Sequence, residues 1–467
     1  MDYMLPAILG VFSVFCLLLS PLAKSDKSFF QGHASDGRIP GLLTLTFSQV
    51  TTWIFARSLM NAAILGFYYG IWGTLAYATY YLSFLTGARI VDHIRFKHNC
   101  NNIQTFLYQR FGNIGSQTYN IVIGIRLISE VFANLLVIGI LFGVAGSTVY
   151  VWAVIAFACV ALLYSAIGGL HASLRTDFFQ MVLFLVTLAM LLTFVVANPE
   201  LSVMDLGFKS FEMSDPGPIL IIVALLQVWS YPMHDPVMMD RGFIADRKTT
   251  WRSFHHAAWL SALCIILFGS LGVFAGAHAT SGEAMNAALT RILGEVPMLL
   301  FSVALIISAM STLDSTLSSS AKLIAVDMEV LSPTLFNGRV VMVVFMLLGL
   351  LMVFFGNKDL FSAVAVSGTA SMYLAPVIFF SVWGNIKTIP VWSYLVAFFL
   401  AVTGAVLYFT ESSGYTTWFN LAFGIEHKYS KLLLICVIVL VGGTLAFLVG
   451  SMLRQSGQRT KIAEAAA

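Results

Sequence analysis

Thirteen stretches of this chain are apolar and about 20 residues long, and between them they leave little sequence for a water-facing surface. Such a chain folds only where hydrocarbon is the solvent. There, helices and closed barrels are the two ways of satisfying every backbone N–H and C=O. Barrel strands would need about 10 residues of alternating polarity, and these stretches are twice that length and apolar throughout. Composition agrees, with 59% hydrophobic and 10% charged residues and a mean hydropathy of +0.88. The expected fold class is an all-α polytopic membrane protein with about 13 transmembrane helices.

The first stretch, Leu5 to Leu22, has Asp2 where a signal peptide carries basic residues and lacks a small-residue cleavage site before Lys24, so it reads as a retained helix. The others lie near 41–67, 68–87, 114–143, 146–167, 172–197, 217–240, 254–277, 296–326, 338–356, 359–384, 390–410 and 431–453. With the N-terminus outside, 18 of the 25 Lys and Arg fall on the inner side and five on the outer, while Arg57 and Arg126 lie within spans. That asymmetry predicts a multi-pass protein of the cell (inner) membrane, N-terminus out and C-terminus cytoplasmic. The net charge of +3 gives no reason to invoke nucleic acid. The five cysteines show no metal-ligand spacing, and no nucleophile motif such as GxSxG occurs, so neither an enzyme nor a cofactor is expected.

Setting aside the first span and the last two leaves ten, in two groups of five. Five is odd, so the second group must run inverted relative to the first, which is the layout of an inverted-repeat transporter. The expected division is 1–40 for the extra helix and connector, 41–197 and 198–384 for the repeats, and 385–467 for two C-terminal helices and a tail. In such proteins the first helix of each repeat is interrupted near the midplane. Phe47 to Trp53, FSQVTTW, reads as a polar interruption in the first, and Gln227 to Pro236, QVWSYPMHDP, carries two prolines that break the second.

The most polar span is Ile307 to Met328. Ser308, Ser311, Thr312, Ser315, Ser318 and Ser319 fall at i, i+3, i+4, i+7, i+10 and i+11, one helical face of hydroxyls with Asp314 at its edge. Two readings stand: a cation site, or small residues that let helices pack while bonding their own carbonyls.

The run SAMSTLDS resembles the eighth core helix of the sodium/solute symporter family, relatives of the sodium/proline and sodium/galactose symporters. YSAIGGLHASLRTDFFQ, Tyr164 to Gln180, resembles the junction of its fourth and fifth core helices, HDPVMMDRGFIA its sixth-helix ending, and YLAPVIFFSVWG its tenth helix. The resemblance implies a LeuT-type fold with one extra N-terminal and two extra C-terminal helices, and Na+ as coupling ion. It implies a sodium site from carbonyls near Phe47 and Val50, the carbonyl of Ser308, and the hydroxyls of Ser311 and Thr312. A possible second cation site would use Asp177, Ser311, Asp314 and Ser315; alternatively Asp177 caps its helix or pairs with Arg175 or Lys322.

Candidates for the solute pocket are Gln49, Thr51, Trp53, Arg57, Arg126, Gln227, Trp229, Tyr231, His234 and Asp235, polar or aromatic residues at the predicted breaks or charges within spans. Arg126 and Glu130 are one turn apart and can neutralise each other. Arg57 has no local partner; it awaits either a solute carboxylate or an acidic group on another helix. The expectation is a sodium-coupled symporter of a small polar solute, leaning to a carboxylate-bearing or zwitterionic one, working in the bilayer as a monomer or otherwise. A proton-coupled or facilitative transporter, or a transporter-like sensor, is the alternative.

Overall fold

Every regular element among the described residues is helical, as the absence of water in a bilayer requires. The computed structural model describes residues 4–34, 37–199, 212–355 and 360–466. Eight of its helices are long and apolar enough to cross a membrane, or nine if the bent pair Ala365–Ser371 and Leu374–Trp383 is one span. Two of these rods are hairpins of two long limbs, and a third, Ile103–Phe142, turns in the same way at Gly112 (φ 65°) after a short first limb. α4 (Ala56–Thr79) turns at Gly70, whose φ of 63° suits a residue without Cβ, and beyond it Thr74 Oγ1 donates to the Ala62 carbonyl at 3.4 Å. α7 (Thr148–Ala197) turns likewise at Gly169, φ 57°. Tyr164 and Thr176 on its two limbs reach the same carboxylate, although 12 straight helical residues would separate them by about 18 Å.

Among the described residues the remaining passes are the short α1 (Met4–Leu19), and α8 (Pro216–Gln227) joined through a broken turn to α9 (Pro236–Gly242). Counting the long hairpin limbs separately and broken pairs once gives thirteen passes, in keeping with the sequence reading. A short α2 (Asp26–Gln31) precedes α3 (Leu42–Trp53), whose span is completed by the first limb of α4; α5 (Ser83–Val91) extends the second limb. Then come α6 (Ile103–Phe142), α10 (Arg247–His278), the short α11 (Met285–Leu293) and α12 (Glu295–Lys322). α13 (Leu335–Phe355), the bent pair α14 (Leu360–Ser371) and α15 (Leu374–Pro376), α16 (Val391–Ser412), α17 (Trp418–Phe423) and α18 (Lys428–Ala466) complete the chain.

α12 runs through the middle. From Ala304 to Ala321 all of its residues are buried, against α7, α6, α13 and α3. The hydroxyl face therefore looks into protein, and exposed apolar side chains lie on outer helices such as α13 and α16. The tightest helix contact is between α4 and α10, where a Cβ at Gly272 would overlap the Ala63 carbonyl. Gly272→Ala is accordingly expected to cost about 1–3 kcal/mol by forcing the two helices apart, read as a lowered unfolding midpoint in detergent.

Candidate functional site

The first broken span interrupts at Ile54 and Phe55, between α3 and α4. α12 lies against this interruption. Thr312 Oγ1 reaches the Thr52 carbonyl at 3.3 Å and the Ser308 carbonyl at 3.0 Å, while the Ser308 hydroxyl contacts the Ile54 carbonyl. This corrects the expected register. Residues 47 to 53 are continuous helix, the Val50 carbonyl accepts from Ile54 N at 2.9 Å, and the carbonyls that meet α12 belong to Thr52 and Ile54 rather than Phe47 and Val50. The polar residues that suggested a break bond their own helix, as Thr52 Oγ1 does to the Ser48 carbonyl at 2.7 Å.

One turn further along α12 is a fully buried ionic cluster. Asp177 accepts from Ser311 at 2.6 Å and from Ser48 at 2.6 Å, which joins α7, α12 and α3 through one carboxylate. Asp314 accepts from Tyr164 (2.8 Å), Ser173 (2.9 Å), Thr176 (3.0 Å) and Ser315 (3.1 Å). The guanidinium of Arg241, from the end of α9, contacts Asp177 directly and is linked to Asp314 through Ser173 and Ser315. It donates to Ser315 at 2.6 Å, Ser48 at 3.1 Å and Ser173 at 3.3 Å, and pairs with Asp177 at 3.4 Å. Lys322 is engaged elsewhere, with Asp240 and Asp327, so neither it nor Arg175 is the partner of Asp177. The set read as a second cation site, Asp177, Ser311, Asp314 and Ser315, thus already contains a tethered cation. Two carboxylates and one guanidinium leave one negative charge among these three groups when all are ionised.

The second broken span opens after Gln227, makes a tight turn over Tyr231–His234 and resumes at Pro236, where Asp235 caps α9 by accepting from Met238 N at 2.9 Å. Two interrupted helices thus face each other, backed by α12 and the second limb of α7. No protein-family model matches the sequence, and no curated protein matches it. Solved structures do. A Na+-coupled sialic acid symporter in a substrate-bound outward-open state aligns over 97% of this chain and 98% of its own, at 14% identity and a TM-score of 0.68. Mhp1, a nucleobase-cation-symport-1 family transporter, in a closed conformation with bromovinylhydantoin bound, aligns over 93% and 97%, at 15% identity and a TM-score of 0.58. The chain has the LeuT-type fold.

In this LeuT-type frame the space between the two breaks is lined by Trp53, Phe55, Ser58, Tyr77, Tyr80, Tyr81 and Tyr231, closed around a cavity of only about 20 Å³. Gln49 and Trp53 before the break, and Arg57 and Asn61 after it, are each buried with at least one polar atom that has no partner. A buried unpaired polar group costs about 1–3 kcal/mol, and a charged one more, so these side chains on either side of the break are candidates to meet a bound group. Arg57 is the sharpest case. It is 1% exposed, Nε and Nη2 are unpartnered, its guanidinium carbon sits 4.9 Å from the Phe55 ring centre, and no carboxylate among the described residues pairs with it.

Arg126, by contrast, has two carboxylates beside it, although its Nε and Nη1 make no hydrogen bond. It pairs with Glu130 at 2.5 Å and Asp235 at 3.0 Å, and so ties α6 to the second break. Gln227 accepts from Tyr80 at 2.8 Å and Tyr231 stacks edge-on against Trp53 at 5.7 Å, both near the gap. His234 meets Ser367 at 3.2 Å behind it, and Thr51 is buried in α3. Trp229 is not brought to the gap: 40% exposed, it packs on Phe379 and Trp383, because the turn after Gln227 swings it outward. Sequence reading missed Tyr77, Tyr80 and Tyr81, which lie on the second limb of α4 and its continuation. Their signal was the aromatic run from 77 to 81 within an otherwise unremarkable apolar span.

Proposed function

We propose that this chain is a sodium-coupled symporter that carries a small organic solute with an anionic group across the cell membrane, N-terminus outside, by alternating access. The observation that carries this is the meeting of α12 with the first break, where the Ser308 and Thr312 hydroxyls and the Ser308, Thr52 and Ile54 carbonyls converge, with Ser311 one turn away bridging to Asp177. Hard oxygen donors of this kind suit an alkali cation. Both aligned structures are described as cation-linked symporters, which supports the same assignment. The repeats would run 41–197 and 198–384, flanked by 1–40 and 385–467.

Coupling follows from shared parts. A cation held between α3 and α12 fixes the end of α3, and the same break carries the candidate solute-facing side chains, so each ligand raises the other's affinity. Arg57 would hold the solute's anionic group, and the tyrosines its less polar body. Because Arg241 already supplies a positive charge beside Asp177, one sodium per solute is the expected stoichiometry. In proteoliposomes an inward sodium gradient is expected to drive accumulation of the solute, and a proton gradient without sodium is expected to leave uptake at the passive level; the reverse pattern would establish proton coupling, with Asp314 as the natural carrier.

A further inference from the structure

A cavity of about 430 Å³ lies behind the second break, between α6, α13, α14 and α16, and shares no lining residue with the gap between the breaks. Most of its wall is hydrocarbon, from Val122 and Phe132 of α6, Met352 of α13, and Val402 and Phe409 of α16. Ile125 and Val406, also in the lining, are 59% and 56% exposed on apolar spans, so this side of the cavity faces lipid. One patch of the wall is polar. His234 and Arg126 belong to it, 1% and 2% exposed, and His234 Nδ1 and Arg126 Nε have no hydrogen-bond partner among the described residues. Ser367 of the same lining meets the other ring nitrogen of His234 at 3.2 Å, and Glu130 and Asp235 pair with Nη1 and Nη2 of Arg126, so each side chain is held in place with one nitrogen left over.

We propose that this cavity binds a compact, uncharged, membrane-soluble molecule with one hydroxyl on an apolar body, an alkylphenol being the type, which enters from the bilayer and sets its hydroxyl against His234 and Arg126. The volume lies within the range of small-molecule sites, and an apolar wall with a few fixed polar groups is their usual make-up. At the roughly 30 Å³ that a water takes in the liquid it has room for about 14 heavy atoms, too few for a phospholipid. A hydroxyl is selected because it both donates and accepts. Arg126 Nε can only donate, whereas His234 Nδ1 donates in one tautomer and accepts in the other, and one hydroxyl completes both nitrogens in either case. A full anion is opposed by Glu130 and Asp235 beside the same guanidinium. Asp235 caps α9 and His234 ends the turn before it, so the occupant rests on the second broken helix without entering the gap, which makes this a regulatory site that does not depend on the identity of ion or solute.

Photolabelling of the full chain in phosphatidylcholine nanodiscs with a diazirine-bearing alkylphenol tests this, the labelled peptides being identified by mass spectrometry. Label is expected on the segments of α6, α14 and α16 that line the cavity. At equal membrane concentration 4-hexylphenol is expected to displace it about tenfold better than hexylbenzene, which lacks the hydroxyl, and better than the anion 4-hexylbenzoate. His234→Phe keeps a ring and removes both nitrogens; it is expected to weaken displacement by 4-hexylphenol about tenfold and to leave that by hexylbenzene unchanged. Val406→Trp, on the lipid-facing side, is expected to remove the label by closing the entrance, and with the ligand series on the unaltered chain it decides the matter if His234→Phe does not fold. Label spread evenly over the outer helices, hexylbenzene or 4-hexylbenzoate as effective as the phenol, or full labelling of Val406→Trp would overturn the proposal.

Discussion

Arg241→Gln is expected to lower the stability of this protein by about 3–5 kcal/mol, because it leaves Asp177 buried with no cation beside it. The guanidinium does more than balance one charge. Through Ser48, Ser173, Ser315 and Asp177 it ties both interrupted helices to the supports α7 and α12. Asp177→Asn combined with Arg241→Gln removes both charges and is expected to regain most of the loss, since replacing a whole buried pair costs far less than breaking one. Unfolding midpoints of the two variants in detergent separate these cases. In transport, Arg241→Gln is expected to make the sodium dependence steeper, as a second ion takes the place of the tethered cation beside Asp177. An unchanged sodium profile in a folded variant would show that this pocket takes no part in coupling.

Arg57→Ala is expected to reduce uptake of an anionic solute by about 100-fold or more, a loss of roughly 3 kcal/mol, within the range for truncating one partner of a buried, hydrogen-bonded charge pair. Sodium binding is expected to persist, because Arg57 lies in the first turn of α4 while the oxygen cluster belongs to α3 and α12. Arg57→Lys should recover only part of the activity, since a point charge cannot offer the paired donors of a guanidinium to a carboxylate. Arg126→Ala reads differently. It strands Glu130 and Asp235 without their common partner, so its expected effect is a lowered unfolding midpoint with any solute, not selective loss of anionic ones.

Much of the architecture is legible in the residues because the bilayer admits so few solutions. Apolar lengths give the passes, and the hydroxyl stripe of α12 announces a face that cannot look at lipid. The first break is the instructive miss. Ser48, Gln49, Thr51 and Thr52 are polar in an otherwise apolar span and suggest an interruption, yet in hydrocarbon a hydroxyl that bonds its own backbone sits well inside a helix. The chain actually opens at Ile54 and Phe55, apolar residues with no Pro or Gly among them, and tertiary contacts hold that opening: Tyr81 donates to the Trp53 carbonyl at 2.8 Å, and Ser308 to that of Ile54. The second break carries Pro232 and Pro236 and needed no such help to be read. Long-range ion pairs are the other blind spot. Glu130 is visible one turn from Arg126, but Asp235 is 109 residues away and Arg241 lies 64 residues from Asp177, and no local pattern reports either pairing.

The central claim is that α3 and α12 together hold the coupling ion, and equilibrium binding of radiolabelled sodium to the purified protein tests it most directly. Saturable binding is predicted for the unaltered chain, weakened about tenfold or more by Thr312→Ala or Ser311→Ala, each of which removes an oxygen from the site or from its support on Asp177. Ser393→Ala, a buried hydroxyl on α16 packed against Gly450 of α18, is predicted to bind as the unaltered chain does. Absence of saturable sodium binding, or full-strength binding in both α12 variants, would contradict the account.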